Sequence, residues 1–119
     1  MKIYTANHQF EVELYDTPTA NAIAKQLSLQ GNAILWGKEI YFSIPLHIEI
    51  EDDARDALEE GELAFYPPLN AFCIFFGPTP VSTDSKPRAA DMVNVFGKIK
   101  GDYTLLNDVQ NAELIRIEP

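Results

Sequence analysis

Phe10, Val12 and Leu14 alternate with Glu11, Glu13 and Tyr15, and this period of two predicts a strand with one buried and one wet face. Thr17 and Pro18 follow as an N-cap and a first-turn proline, after which Ala20, Ile23, Ala24 and Leu27 recur at helical spacing. They predict an amphipathic helix of about three turns, with Gly31 as the residue that ends it. Ala33 to Trp36 opens a second strand group. Gly37 and Lys38 make its turn, and Ile40, Phe42 and Ile44 then alternate with Glu39, Tyr41 and Ser43 as far as Pro45.

Between residues 49 and 62 the pattern changes. Glu49, Glu51, Asp52, Asp53, Asp56, Glu59, Glu60 and Glu62 face a single base, Arg55. The early acids suit a helix N-terminus at Asp52 or Asp53, where they complement the positive end of the helix dipole, and Gly61 would close that helical turn. From Glu62 onward strands return. ELAFY and AFCIFFG are apolar runs joined by PPLN, a turn with proline at its second position, which predicts a hairpin. GPTPVSTDSKPRAAD, with three of the chain's eight prolines, predicts a surface loop. Val93 to Lys100 and Ala112 to Ile117 are the last predicted strands, with one or two helical turns between them in Asp102 to Val109. Many short strands and one clear helix leave two architectures open: an antiparallel barrel or a sandwich, with the helix plugging one end.

Composition narrows the function more than the fold. A chain of 119 residues forms one domain, residues 1–119, and can bury roughly two-thirds of its unfolded surface. Apolar residues at 46% and charged residues at 23% exclude disorder and fibrous repeats. The net charge of -9 repels a phosphate backbone, so nucleic acid is not an expected partner. The only basic concentration, Lys86, Arg88, Lys98 and Lys100, is too sparse for a stacking platform. Cys73 is the only cysteine, which forbids an internal disulfide. The opening residues lack the apolar stretch of a signal peptide, and no run approaches the roughly 18 apolar residues of a membrane span. A cytoplasmic location with no membrane partner is expected.

Three stretches, in this order, resemble cyclophilin. FEVELYDTPTANAIAKQL is similar to that family's opening strand, proline turn and first helix; WGKEIYF with NAFCIFF is similar to middle strands; and VNVFGKIKGDYTLLNDV is similar to a late strand running into a short helix. The long segment GELAFYPPLNAFCIFFGPTP resembles the signature of a narrower group, small prokaryotic cyclophilin-like proteins of unassigned function. The resemblance implies a mainly β fold, a small closed antiparallel β-barrel with one main helix and short helical turns. One departure is Leu69, where that group usually has glycine. Leucine disfavours the positive φ of a type II turn, so a type I turn is expected there.

The resemblance also raises prolyl isomerisation. Rotation about a peptide bond faces a barrier of about 18–20 kcal/mol, and cyclophilins lower it with an arginine that donates to the prolyl nitrogen among aromatic side chains. The corresponding segment here, SLQGNAILWGKEIYF, contains no arginine and is shortened as well as changed. The first arginine is Arg55, whose ordinary reading among Asp52, Asp53, Asp56 and Glu59 is ion pairing on a solvated helical face. Phe75 matches a groove phenylalanine, but it shares a strand face with Ala71 and Cys73 and reads equally as core.

Other patterns carry less. Gly31, Gly37 and Lys38 miss the phosphate-loop spacing, and Glu39 replaces its hydroxyl. His47-Ile48-Glu49 lacks the paired cysteines of a zinc deaminase, so His47 reads as structural or as an exposed strand histidine. The acidic run lacks the spacing and glycine of a calcium loop. Cys73 between Phe72 and Ile74 reads as a small buried hydrophobe. No catalytic residue, metal ligand or cofactor is assigned.

The remaining candidates for a ligand site are Trp36, Glu39, Tyr41, Tyr66, Asn70, Phe75, Thr79 and Asn94, an aromatic and polar set of the composition that lines pockets. The expected function is that of a cyclophilin-like domain holding a peptide segment or small molecule in its groove. Two alternatives stand beside it: a weak prolyl isomerase with Asn70 or Arg55 as substitute donor, and a small-molecule enzyme or structural partner. The sequence does not specify an oligomeric state.

Overall fold

Each face of the hairpin strands has its own packing, and this organises the molecule. In the computed structural model, which describes residues 1–119, Phe72 and Ile74 point to one side of their strand while Ala71, Cys73 and Phe75 point to the other. All five are buried. The strands are β1 (Lys2–Tyr4), β2 (Gln9–Leu14), β3 (Leu29–Asn32), β4 (Ile34–Trp36), β5 (Glu39–Ser43), β6 (Arg55–Ala57), β7 (Glu62–Tyr66), β8 (Ala71–Phe75), β9 (Arg88–Lys100) and β10 (Leu114–Glu118). They form one antiparallel sheet in the order β3-β10-β1-β2-β9-β7-β8-β5-β4, with β6 attached to β9. No helix is long and apolar enough to cross a membrane.

The single α-helix, α1 (Pro18–Gln26), begins as its sequence dictates: the Thr17 hydroxyl accepts from the Ala20 N–H and Pro18 occupies the first turn. It buries Thr19, Ala20 and Ile23 against the inner face of the curved sheet. There Phe42 stacks on Phe72 with ring centres 5.5 Å apart, and Phe96 meets Phe72 edge-on at 5.3 Å. Removing one of these fully enclosed rings would cost about 3–5 kcal/mol. A 3-10 segment, Tyr103–Asp108, adds Leu106 to the same core.

The sheet is not the closed barrel that the resemblance implies. Its hydrogen-bonded path ends at β3 on one side and β4 on the other, and these two edges do not pair. The reason is chain continuity. Only Ala33 separates β3 from β4, so the two run on end to end, and Ala33 gives both backbone groups to the segment before β10: its N–H donates to Glu113 and its carbonyl accepts from Ala112. β3 meets β5 through packing alone. Gly31 lies against the Phe42 ring, where an added Cβ would sit 2.3 Å from Cδ2. That close approach explains Gly31, which lies within β3 and does not terminate the helix; α1 ends at Gln26.

The acidic segment is not helical either. Residues 49 to 54 form turns and irregular chain, followed by β6, which pairs with β9. Its polar groups are engaged elsewhere. The Glu51 carboxylate accepts from the Thr19 N–H at the start of α1, and the Glu51 N–H donates to Asn94. Arg88 bonds Asp56. Gly61, with φ +91°, serves the tight connection into β7. In the hairpin turn, Pro67–Leu69 adopt 3-10 geometry and Asn70 takes the left-handed conformation at φ 49°, so Leu69 escapes the positive φ it disfavours.

Candidate functional site

Strand parity places Glu39 and Tyr41 of β5 on the same outer face as Ala71, Cys73 and Phe75 of β8, with Tyr66 of β7 beside them. The register sets Glu39 opposite Phe75, Tyr41 opposite Cys73 and Tyr66 opposite Ala71. Large side chains therefore surround small ones. Trp36 comes in from β4, directly opposite Glu39, and the start of β9 supplies Ala89, Ala90 and Val93. The result is a cavity of about 340 Å³ with a floor of small apolar residues and aromatic walls, within the size range of small-molecule sites.

Ten of the eleven lining residues are hydrophobic, and Glu39 is the exception. It is 7% exposed, and no protein group makes a hydrogen bond to its carboxyl oxygens within ordinary geometry. Burial pushes its pKa up to about 7, while the neighbouring Cys73 thiol offsets a little of that rise. Burial also pushes the Cys73 thiol itself up, with the Glu39 carboxyl adding to the effect, so Cys73 stays protonated and unreactive.

Five of the eight sequence candidates, Trp36, Glu39, Tyr41, Tyr66 and Phe75, come together around this cavity. Phe75 is fully buried and also forms a wall of the cavity. Asn70, Thr79 and Asn94 stand apart: the side chains of Thr79 and Asn94 are spent on backbone, and that of Asn70 on His47. Asn70 caps the hairpin turn and contacts His47 Nδ1 at 3.2 Å. The Thr79 hydroxyl donates to the Arg88 carbonyl. Asn94 is 1% exposed and clamps the acidic segment, accepting from Glu51 N–H at 2.8 Å and donating to the Glu49 carbonyl at 2.9 Å.

The sequence reading missed the floor. Ala71, Cys73, Ala89, Ala90 and Val93 attract no notice as chemistry, yet their small size makes the hollow. A signal was present in AFCIFF, where the small residues Ala71 and Cys73 share one strand face and the large Phe72 and Ile74 share the other. Leu69, 51% exposed at the rim, takes the place expected for Asn70. Beyond Tyr66 a second depression of about 360 Å³ opens between Pro67, Pro68, His47 and Met92, so Tyr66 forms a shared wall. His47 lies there, exposed and outside any strand, its pKa raised by the Glu49 carboxylate at 3.0 Å and by Asn70.

Arg55 lies outside the cavity and on no helical face. It grips the buried Glu62 carboxylate with two bonds, Nη1 to Oε1 at 3.1 Å and Nη2 to Oε2 at 2.9 Å. No three His, Cys, Asp or Glu side chains are gathered as a metal site would require.

A family model described as cyclophilin-like matches residues 1–118. The solution structure of the hypothetical protein AF2241 from Archaeoglobus fulgidus is similar, with 38% sequence identity and a TM-score of 0.81 over 98% of this chain and 91% of that one. No curated protein matches the chain.

Proposed function

The chain belongs to the cyclophilin-like family, and from that premise we propose that it is a noncatalytic binding domain which takes a peptide segment or small molecule into the outer-face cavity. The observation that carries this reading is the hollow itself: small residues floor it, four aromatic side chains wall it and one buried carboxyl opens onto it. A sheet face built only for stability would fill that space with side chains, since cores pack to near-crystalline density. The shared wall at Tyr66 gives a longer ligand a continuation past Pro67 and Pro68.

Isomerase chemistry finds no support in this arrangement. No arginine lines the cavity, Arg55 is committed to Glu62, and Asn70 is committed to its turn and His47. A proline isomerisation assay is expected to show no acceleration at high protein concentration. The binding reading is tested by two-dimensional NMR, titrating proline-containing peptides and small apolar probes into labelled protein. Shifts confined to residues 71–75 and 89–93 and the Trp36 indole are expected. Shifts scattered over the surface, or none, would defeat it.

A further inference from the structure

Resting on the reading that the outer-face cavity binds a ligand, we infer that this ligand is an organic ammonium ion, a protonated amine carried on a compact apolar body. Two independent features of the walls select for positive charge. Glu39 is 93% withdrawn from solvent at a cavity-lining position, and the one protein donor beside its carboxyl is the weakly donating Cys73 thiol. Around it stand Trp36, Tyr41, Tyr66 and Phe75, and an aromatic ring face attracts a cation within about 6 Å of its centre. An anion would meet a carboxyl, ring faces and a protein of net charge -9. A neutral apolar ligand would bring the Glu39 oxygens no donor, and a neutral hydroxyl would bring one without the charge that a carboxylate pairs with.

The groups that face Glu39 do not supply the missing charge. Trp36 of β4 and Phe75 of β8 are uncharged, and Cys73 of β8 holds its proton. From β9 come only Ala89, Ala90 and Val93. Lys38 is next in sequence, but its ammonium bonds Asn107 at 2.6 Å and lies over Phe76, away from this face. An incoming ammonium would be the first cation at the carboxyl. It would hold Glu39 ionised where the empty cavity leaves it half protonated near neutrality, so binding releases a proton and tightens about tenfold between pH 6 and pH 8.

The experiment compares cyclohexylmethylammonium, cyclohexylmethanol and cyclohexanecarboxylate, together with a lysine-containing tripeptide, by NMR titration of the wild-type chain at pH 6 and pH 8 and of Glu39→Gln at pH 8. The ammonium is expected to bind at least tenfold more tightly than the alcohol at pH 8, and the carboxylate not at all. In Glu39→Gln that preference falls at least tenfold, to what the aromatic walls supply on their own. Tighter binding of the free amine or of the peptide identifies which source of ammonium the site takes. Equal affinity for ammonium and alcohol in the wild type, or an unchanged preference in Glu39→Gln, overturns the inference and leaves the binding reading standing. Should no probe and no proline peptide move cavity resonances, the binding reading itself falls. If Glu39→Gln does not fold, the wild-type series and its pH dependence decide alone.

Discussion

Glu39 and Glu62 stand on the outer face of the same sheet, are almost equally buried, and have opposite surroundings. Glu62, at the start of β7, accepts two bonds from Arg55, one from the Glu59 N–H at 2.7 Å and one from the Tyr15 hydroxyl at 2.8 Å. Burial pushes its pKa up, but the Arg55, Glu59 and Tyr15 bonds outweigh that and hold it below the ordinary carboxylate value. Glu39, at the start of β5, has an apolar cavity where Glu62 has an arginine. One carboxylate has been built into the fold. The other has been left facing a space, at a cost to the empty protein that a bound cation would relieve.

Arg55→Met strikes this contrast hardest, since it turns the Glu62 environment into one like that of Glu39. A loss of about 3 kcal/mol is expected from urea unfolding at pH 7, at the low end for a broken buried pair because Arg55 is itself partly exposed. A carboxyl with a lowered folded pKa stabilises above its unfolded value of 4.5 and loses that contribution as the pH falls through the folded one. The difference between variant and wild type should therefore shrink below about pH 4.5. A cost that stayed constant into acid would mean that Arg55 acts by packing and not by charge.

Glu39→Gln tests the opposite side and should stabilise. A carboxyl whose folded pKa is raised from 4.5 to about 7 is protonated in the native state where the unfolded state is ionised, so the wild type loses stability as pH rises through that window. The amide avoids this loss. Without ligand, the variant should be more stable by about 3 kcal/mol at pH 8 and unchanged at pH 4, measured by thermal and urea unfolding. Equal stability at both pH values would show that Glu39 is solvated in the empty protein. The smallest effect is expected from Tyr15→Phe, which removes one donor from a carboxylate that keeps three. A cost of about 1 kcal/mol in the same urea titration is anticipated; a cost near that of Arg55→Met would move the weight of the site from the ion pair to the hydroxyl.

Much of this molecule was legible because its residues act locally. The Thr17-Pro18 cap, the alternation through β2, β5 and β8, and the PPLN turn express preferences that a few neighbouring residues decide. What was not legible depends on distant partners. β3, with the sequence LQGN, has no alternation and exists because β10 pairs with it and Phe42 needs a glycine beside its ring. The acidic segment looked like a helix start, yet its carboxylates are answered at long range by Thr19 and Arg88 and its backbone by Asn94. The missing closure of the sheet depends on where Ala33 sends its hydrogen bonds, which no pattern of hydrophobicity records. For the site, parity correctly separated the two faces of AFCIF, and the aromatic candidates converged. Asn70, Thr79 and Asn94 did not, since the side chains of Thr79 and Asn94 are taken up by backbone groups and that of Asn70 by His47. Glu39 was the one acid among the candidates, but what sets it against Glu62, the lack of an ion-pairing partner, depends on distant residues that no local pattern records.

The two-faced character of β8 has one more consequence. Phe72 and Ile74 commit the strand to folding, while Ala71 and Cys73, interleaved with them, only floor the hollow. Heritable change can therefore act on alternate positions of a single strand for different ends. Adding or removing a methyl group at Ala71, Cys73, Ala89 or Ala90 reshapes what the hollow admits and leaves the aromatic stack on the inner side untouched. Relatives of this chain can differ in the shape of this hollow by exchanging small residues for one another while keeping a common scaffold.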